Sequence, residues 1–224
     1  MRALTHGEIF RPKPVRSVGR WISRFFLTVG TLAVGYVAFT LLDAWFYQAD
    51  ETRKFEQARQ AVKRASTESP ASPLLPVVLS APARVPEHRA TARSGPPWGR
   101  IKISSIGFSS MILEGVDHET LRRGVGHIPG TALPGEPGNI ALAGHRDTFF
   151  RALRNIRKDD EITLETLDGS YRYRVDLIQI VAPDQTGVLD NSGEPTLTLV
   201  TCYPFSFVGA APQRYIVRAR RISE

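Results

Sequence analysis

Residues 25–42 read FFLTVGTLAVGYVAFTLL, 18 positions without a charge. A helix rises ~1.5 Å per residue, so this run spans ~27 Å, about the hydrocarbon thickness of a bilayer. Asp43 interrupts it, and AWFY carries it on to Tyr47. Trp21, Trp45 and Tyr47 stand at its ends, where aromatic residues favour the membrane–water interface. A cleaved signal peptide has a shorter apolar region of ~7–15 residues followed by a small-x-small site; this run is longer and no such site follows it closely. It therefore reads as a transmembrane signal-anchor over residues 25–47. Residues 1–24 hold six basic residues against Glu8 alone, which accounts for +5 of the net +7. A basic tail beside an apolar run sets membrane orientation, so the tail is expected in the cytoplasm and the rest outside the cytosol. With so little excess charge elsewhere, no nucleic-acid partner is expected.

The segment 48–98 reads as a connector. ADETRKFEQARQAVKRAS (49–66) is polar and rich in helix formers, which predicts a short juxtamembrane helix. Residues 67–98 mix seven prolines with Ala and Ser, a composition that forms an extended spacer rather than a core. From Trp98 onward short β-like runs alternate with turn signals: 100–104, 109–116, 139–145, 161–166, 171–183, 195–202 and 213–222. DHETLRRG (117–124) reads as a short helix capped by Asp117, and 127–139 as a long Gly/Pro loop. Seven or eight short strands in ~125 residues predict a small all-β barrel or sandwich over residues 99–224.

One cysteine among 224 residues excludes an intramolecular disulfide and a multi-cysteine zinc site. Cys202 ends an apolar strand, LTLVTC, and Tyr203-Pro204 stops the ladder there. It is either a buried apolar side chain or a nucleophile. A nucleophile needs a base to raise its thiolate fraction and a cation to hold a developing oxyanion. Five histidines are available. His6 falls in the tail, His88 in the spacer, and His118 on the exposed face of the short helix. His127 and His145 remain, and His145 is favoured because it ends the strand IALAGH. For the cation, period-two alternation along QRYIVRARR puts Arg214, Arg218 and Arg220 on one face and does not choose among them. Arg214 opens that strand just after the loop leaving Cys202, which places it at the same rim.

These residues fall in segments that resemble a known family. TLVTC (198–202) resembles the sortase TLxTC signature, ALAGHRDTFF (141–150) the segment bearing the sortase histidine, and RYIVRA (214–219) the final strand bearing its arginine. The loop GHIPGTALPGEPGNIALAGH and the tail TLVTCYPF are most similar to class D sortases, and the resemblance covers residues 99–222. It implies an eight-stranded β-barrel and a cysteine transpeptidase. Carried over by position, Cys202 is the nucleophile, His145 the general acid/base, Arg214 the oxyanion-stabilising cation, and Thr201 a residue that helps hold substrate. The implied partners are secreted proteins with LPxTG-like sorting signals, cleaved after Thr through a thioacyl-enzyme, and an amine acceptor of the cell envelope. No calcium-site signature is seen, so neither metal nor cofactor is expected. A thiol hydrolase that cuts the signal without transfer, and an anchored β-domain that only binds peptides, are the alternatives.

Overall fold

Aliphatic residues alternate with polar ones along almost every run after Trp98, and in the computed structural model these runs close into a barrel. The structure describes residues 16–67, 95–191, 193–207 and 209–222. His6, His88, most of the basic tail and nearly all of the 67–98 spacer lie outside the described residues. The chain forms two compact units, Met1–Asp43 and Ala44–Glu224.

The first unit carries the start of helix α1 (Arg16–Thr67). Its apolar window is long enough to cross a membrane, and none of that window is buried. The Thr28 and Thr31 hydroxyls donate to the carbonyls of Arg24 and Leu27, at 2.9 and 2.8 Å. Each hydroxyl thus finds a partner on its own helix and needs no water. The sequence separates an anchor from a juxtamembrane helix, whereas α1 runs through both without a break. Nothing between Asp43 and Thr67 is Pro or Gly, so no residue there stops the helix.

The second unit holds the barrel. Its strands are β1 (Gly99–Ile103), β2 (Phe108–Glu114), β3 (Val125–His127), β4 (Asn139–Ala143), β5 (Glu161–Thr166), β6 (Ser170–Val181), β7 (Thr196–Tyr203) and β8 (Gln213–Arg221). They close in the order β1-β2-β3-β4-β7-β8-β6-β5. The β2–β3 and β4–β7 pairs are parallel and the others antiparallel. The short helix α2 (His118–Arg123) follows β2, its N-terminus capped by Asp117, whose carboxylate accepts from the amides of Glu119 and Thr120. Ile101, Ile112, Ile140, Leu142, Leu197, Leu199, Val217 and Ala219 point inward and are almost wholly buried. By alternation, Ala143, Val200, Cys202, Arg214, Ile216 and Arg218 face outward. β3 is absent from the sequence reading; three residues are too few to show a period.

Residues 48–59 of α1 lie against the outer face of β1, β2 and β5. Gln48 accepts from the Met111 amide at 2.9 Å and donates to the Arg123 carbonyl at 2.6 Å. Phe55 is buried, with the Arg100 guanidinium 5.7 Å from its ring centroid. Arg100 donates to Glu165 on β5 at 2.7 Å and also pairs with Glu56 of α1, while Arg59 reaches Glu165 at 3.1 Å. The segment read as a short juxtamembrane helix is part of the compact unit that contains the barrel.

Candidate active site

The end of β4 is held by packing and hydrogen bonds. Gly144 lies under the Phe150 ring, which would stand 2.8 Å from an added Cβ, so AGH followed by TFF is a steric requirement at this turn. The His145 carbonyl accepts from the Phe150 amide at 3.0 Å and the Thr148 amide at 3.4 Å. The 3-10 helix Phe149–Asn155 follows, with Phe150 and Leu153 buried in the core. Gly144 donates its N–H to the Val200 carbonyl at 3.2 Å, and Thr201 donates its hydroxyl to the Gly144 carbonyl at 2.7 Å. The ends of β4 and β7 are thereby locked together. Ala143 pairs with Val200 in that parallel ladder, so His145, just past the end of β4, and Cys202, near the end of β7, both lie two residues beyond the last pair.

On its other side β7 pairs with β8, and Cys202 stands directly opposite Arg214. Residues so placed have Cβ atoms about 4.5–5.5 Å apart and present their side chains on one face. Cys202 is a half-buried free thiol. Arg214 donates from Nη1 to the carbonyls of Ala211 and Gln213, at 3.2 and 3.0 Å. The two other arginines on this face are engaged elsewhere. A bulge in β6 between Val175 and Leu177 sets Asp176 out of the ladder, and its carboxylate accepts from Arg218 at 2.9 and 3.1 Å and from Arg220 at 2.8 Å. Burial pushes the Asp176 carboxyl up, but the hydrogen bonds from the two arginines hold it below its ordinary value.

The two histidines favoured from sequence are in different circumstances. His127 is 3% exposed, with Nδ1 2.8 Å from Glu114 and Nε2 2.9 Å from the Thr131 hydroxyl and 3.1 Å from the Ala132 carbonyl. Both nitrogens are occupied in a structural network. His145 is half-buried at the rim, and its proton affinity is lowered by burial first and by the charge of His118 second, against an opposing effect of Asp147. That cause identifies a residue the sequence reading set aside. His118 is exposed on α2, as expected, yet its ring centroid lies 6.4 Å from that of His145. Thr201 also differs in placement: it is 2% exposed, with its hydroxyl on Gly144. Alternation turns it toward the interior while Cys202 faces out.

Along the same outer face, below the rim, lies a cavity of about 310 Å³ lined by Asn139, Leu177, Val188, Thr198, Ile216 and Arg218 among others. Its floor is the β4–β7–β8 surface, and the segment between β6 and β7 forms one wall. Among the described residues no cluster of His, Cys, Asp or Glu has the makings of a metal site.

Known proteins are similar to this chain in sequence and fold. The family description "Sortase domain" matches residues 101–222. A protein called Sortase D from Bacillus subtilis is 32% identical over 203 residues, covering 90% of this chain and 98% of the relative. Among solved structures, a Clostridium perfringens Sortase D5 transpeptidase superposes with a TM-score of 0.57 at 28% identity, covering 79% of this chain and 96% of that one. Streptococcus agalactiae sortase C1 gives 0.54 at 35% identity over 57% of this chain and 70% of its own.

Proposed function

The chain belongs to the sortase family of cysteine transpeptidases, and from that premise we propose that Cys202, His145 and Arg214 cleave an LPxTG-like sorting signal after its Thr and pass the acyl group to an amine. The observation that carries the assignment is the strand register, with Cys202 opposite Arg214 and His145 at the same step beyond the neighbouring β4–β7 ladder. His145 takes the proton of the Cys202 thiol, the thiolate attacks the Thr carbonyl carbon, and Arg214 hydrogen-bonds the oxygen that gains the negative charge. Collapse breaks the Thr–Gly bond, and His145 gives a proton to the departing glycine amine. The thioacyl-enzyme is then attacked by an acceptor amine. His145, now neutral, takes the proton from the incoming nitrogen, the C–S bond breaks, and the Cys202 thiolate is restored. Burial and a charged neighbour disfavour the protonated form of His145, which suits it to return that proton readily. Thr201 is assigned the role of holding the β4 end, and with it His145, against β7. The apolar walls of the cavity, Leu177, Val188 and Ile216, suit the leucine of the signal.

Residues 25–47 are assigned to the membrane, the basic tail to the cytoplasm and the barrel to the outer side. The full chain in detergent, given an LPxTG-type peptide with and without a small amine, tests the chemistry. Ligated product that needs the amine and vanishes in Cys202→Ala supports transfer. Free acid alone would make the chain a hydrolase, and cleavage surviving Cys202→Ala would remove the nucleophile. Protease protection of the barrel in sealed inside-out vesicles tests the topology, and ready digestion there would reverse the orientation.

A further inference from the structure

Arg146 follows the catalytic histidine in sequence, yet its side chain leaves the rim and enters the loop that joins β7 to β8. It is 6% exposed. Nη1 donates to the Pro204 carbonyl at 3.1 Å, and Nη2 to the carbonyls of Phe207 and Gly209 at 2.6 and 3.1 Å. The Phe207 ring centroid lies 5.9 Å from the guanidinium carbon. Nε has no hydrogen-bond acceptor, and the exposed Asp147 carboxylate stands 3.6 Å from it. Among the described residues no close, buried carboxylate neutralises this cation; three backbone carbonyls of a single loop do most of that work. A buried charge needs such compensation. Conversely, three carbonyl dipoles converging on one point repel each other unless a cation sits between them.

The loop so held matters because of what it joins. Pro204 is two residues past Cys202, and β8 begins one residue before Arg214. Arg146 itself is bonded to His145. The geometry points to Arg146 as a positioning residue that fixes the β7–β8 loop relative to the end of β4, so that nucleophile, base and oxyanion cation keep one mutual setting. This rests on the assignment of Cys202, His145 and Arg214 given above. A fork with several directed N–H groups can meet three carbonyls at once, whereas the ammonium of lysine is a compact point charge on a flexible stem. Retained charge is therefore not enough. The effect falls on transition-state alignment, where misplacement by about 1 Å costs on the order of 100-fold. The cavity assigned to the signal is lined by residues of β4, β6, the β6–β7 segment, β7 and β8, and does not include this loop.

The test is steady-state transpeptidation by the full chain in detergent with Arg146→Gln and Arg146→Lys, each checked by circular dichroism. The expected result is a loss of about 10- to 100-fold in kcat, with KM for the peptide within about threefold, in both variants. Millimolar methylguanidinium is expected to restore part of the Arg146→Gln loss, a response that a merely destabilised barrel would not give. Full kcat in Arg146→Lys, or a rise in KM with kcat unchanged, overturns the proposal. If Arg146→Gln does not fold, Arg146→Lys alone decides on the same kcat criterion. A wild type that transfers and a dead Cys202→Ala, beside a fully active Arg146→Lys, would refute the clamp and leave the active-site assignment standing. A wild type that neither cleaves nor transfers the peptide, or whose cleavage survives Cys202→Ala, would refute that assignment and, with it, the clamp.

Discussion

Arg214, Arg218 and Arg220 share one face of β8, and register and partners separate them: Arg214 alone stands opposite Cys202. Among the described residues no carboxylate pairs with Arg214, while Asp176 engages both of the others. Arg214→Ala should therefore lower kcat/KM for transpeptidation by about 100- to 1,000-fold, the usual cost of losing an oxyanion donor. Arg220→Ala should stay within about threefold of wild type, since an exposed ion pair contributes little; steady-state kinetics on both variants checks the contrast. The alternation of QRYIVRARR showed which arginines were candidates. It could not choose, because the deciding residue is an aspartate displaced by a bulge in another strand. His118 illustrates the same limit: its exposure could be read from helix position, but its approach to His145 depends on how α2 packs against β3. Because the charge of His118 lowers the proton affinity of His145, His118→Ala should raise the pKa of His145. An NMR titration of the His145 ring reads this directly, and an unchanged or lower value would contradict it.

Among the elements, α1 departs furthest from its sequence reading. ADETRKFEQARQAVKRAS is polar and rich in helix formers, and Phe55 is its one aromatic side chain. The docking is made by one aromatic residue and a set of directed polar contacts. Phe55 fills the gap over Arg100, Gln48 meets two backbone groups, and Glu56 and Arg59 join the Arg100–Glu165 pair. Such contacts are long-range and leave no periodic trace. The lone Phe in a charged helix was the available signal. Phe55→Ala should destabilise the unit containing the barrel by about 3 kcal/mol, the lower end of the cost of truncating a buried Phe. Thermal unfolding of the full chain in detergent measures this, and a loss below about 1 kcal/mol would mean that the helix is only loosely seated. The strands were far more legible. Seven of the eight announced themselves as short apolar alternations between turn residues, and the missing β3 is a three-residue piece closing the gap between β2 and β4.

For the whole molecule, the sequence could narrow the architecture to a small barrel or sandwich but not close it. Closure depends on β3 and on the β1–β5 pairing, neither of which any local pattern encodes; the resemblance to sortases supplied the eight-stranded barrel. The finished fold ties its stability to pH through groups at three places. His145 has a folded pKa below its unfolded value of about 6.5. The folded state then binds fewer protons than the unfolded chain, so stability declines as pH falls below that unfolded value and levels off below the folded one. Glu165, under α1, is pushed up by burial but held lower overall by its hydrogen bonds from Arg100 and Lys102, and Asp176, behind β8, is held low in the same way. The stabilisation from a depressed carboxyl is complete above its unfolded value near pH 4, fades below that, and is gone once pH passes the folded value. All three effects weaken the fold in acid but in separate windows, one beginning near pH 6.5 and the other near pH 4. Unfolding midpoints of the full chain in detergent, taken from pH 8 to pH 3, should therefore fall in two stages. His145→Gln should flatten the upper stage and leave the lower one, while Asp176→Asn should lower the neutral-pH midpoint and shrink the lower stage. A wild-type profile flat between pH 7 and pH 5, or an upper stage that survives His145→Gln, would show that burial at the rim does not penalise the imidazolium and that His145 titrates as it would in water.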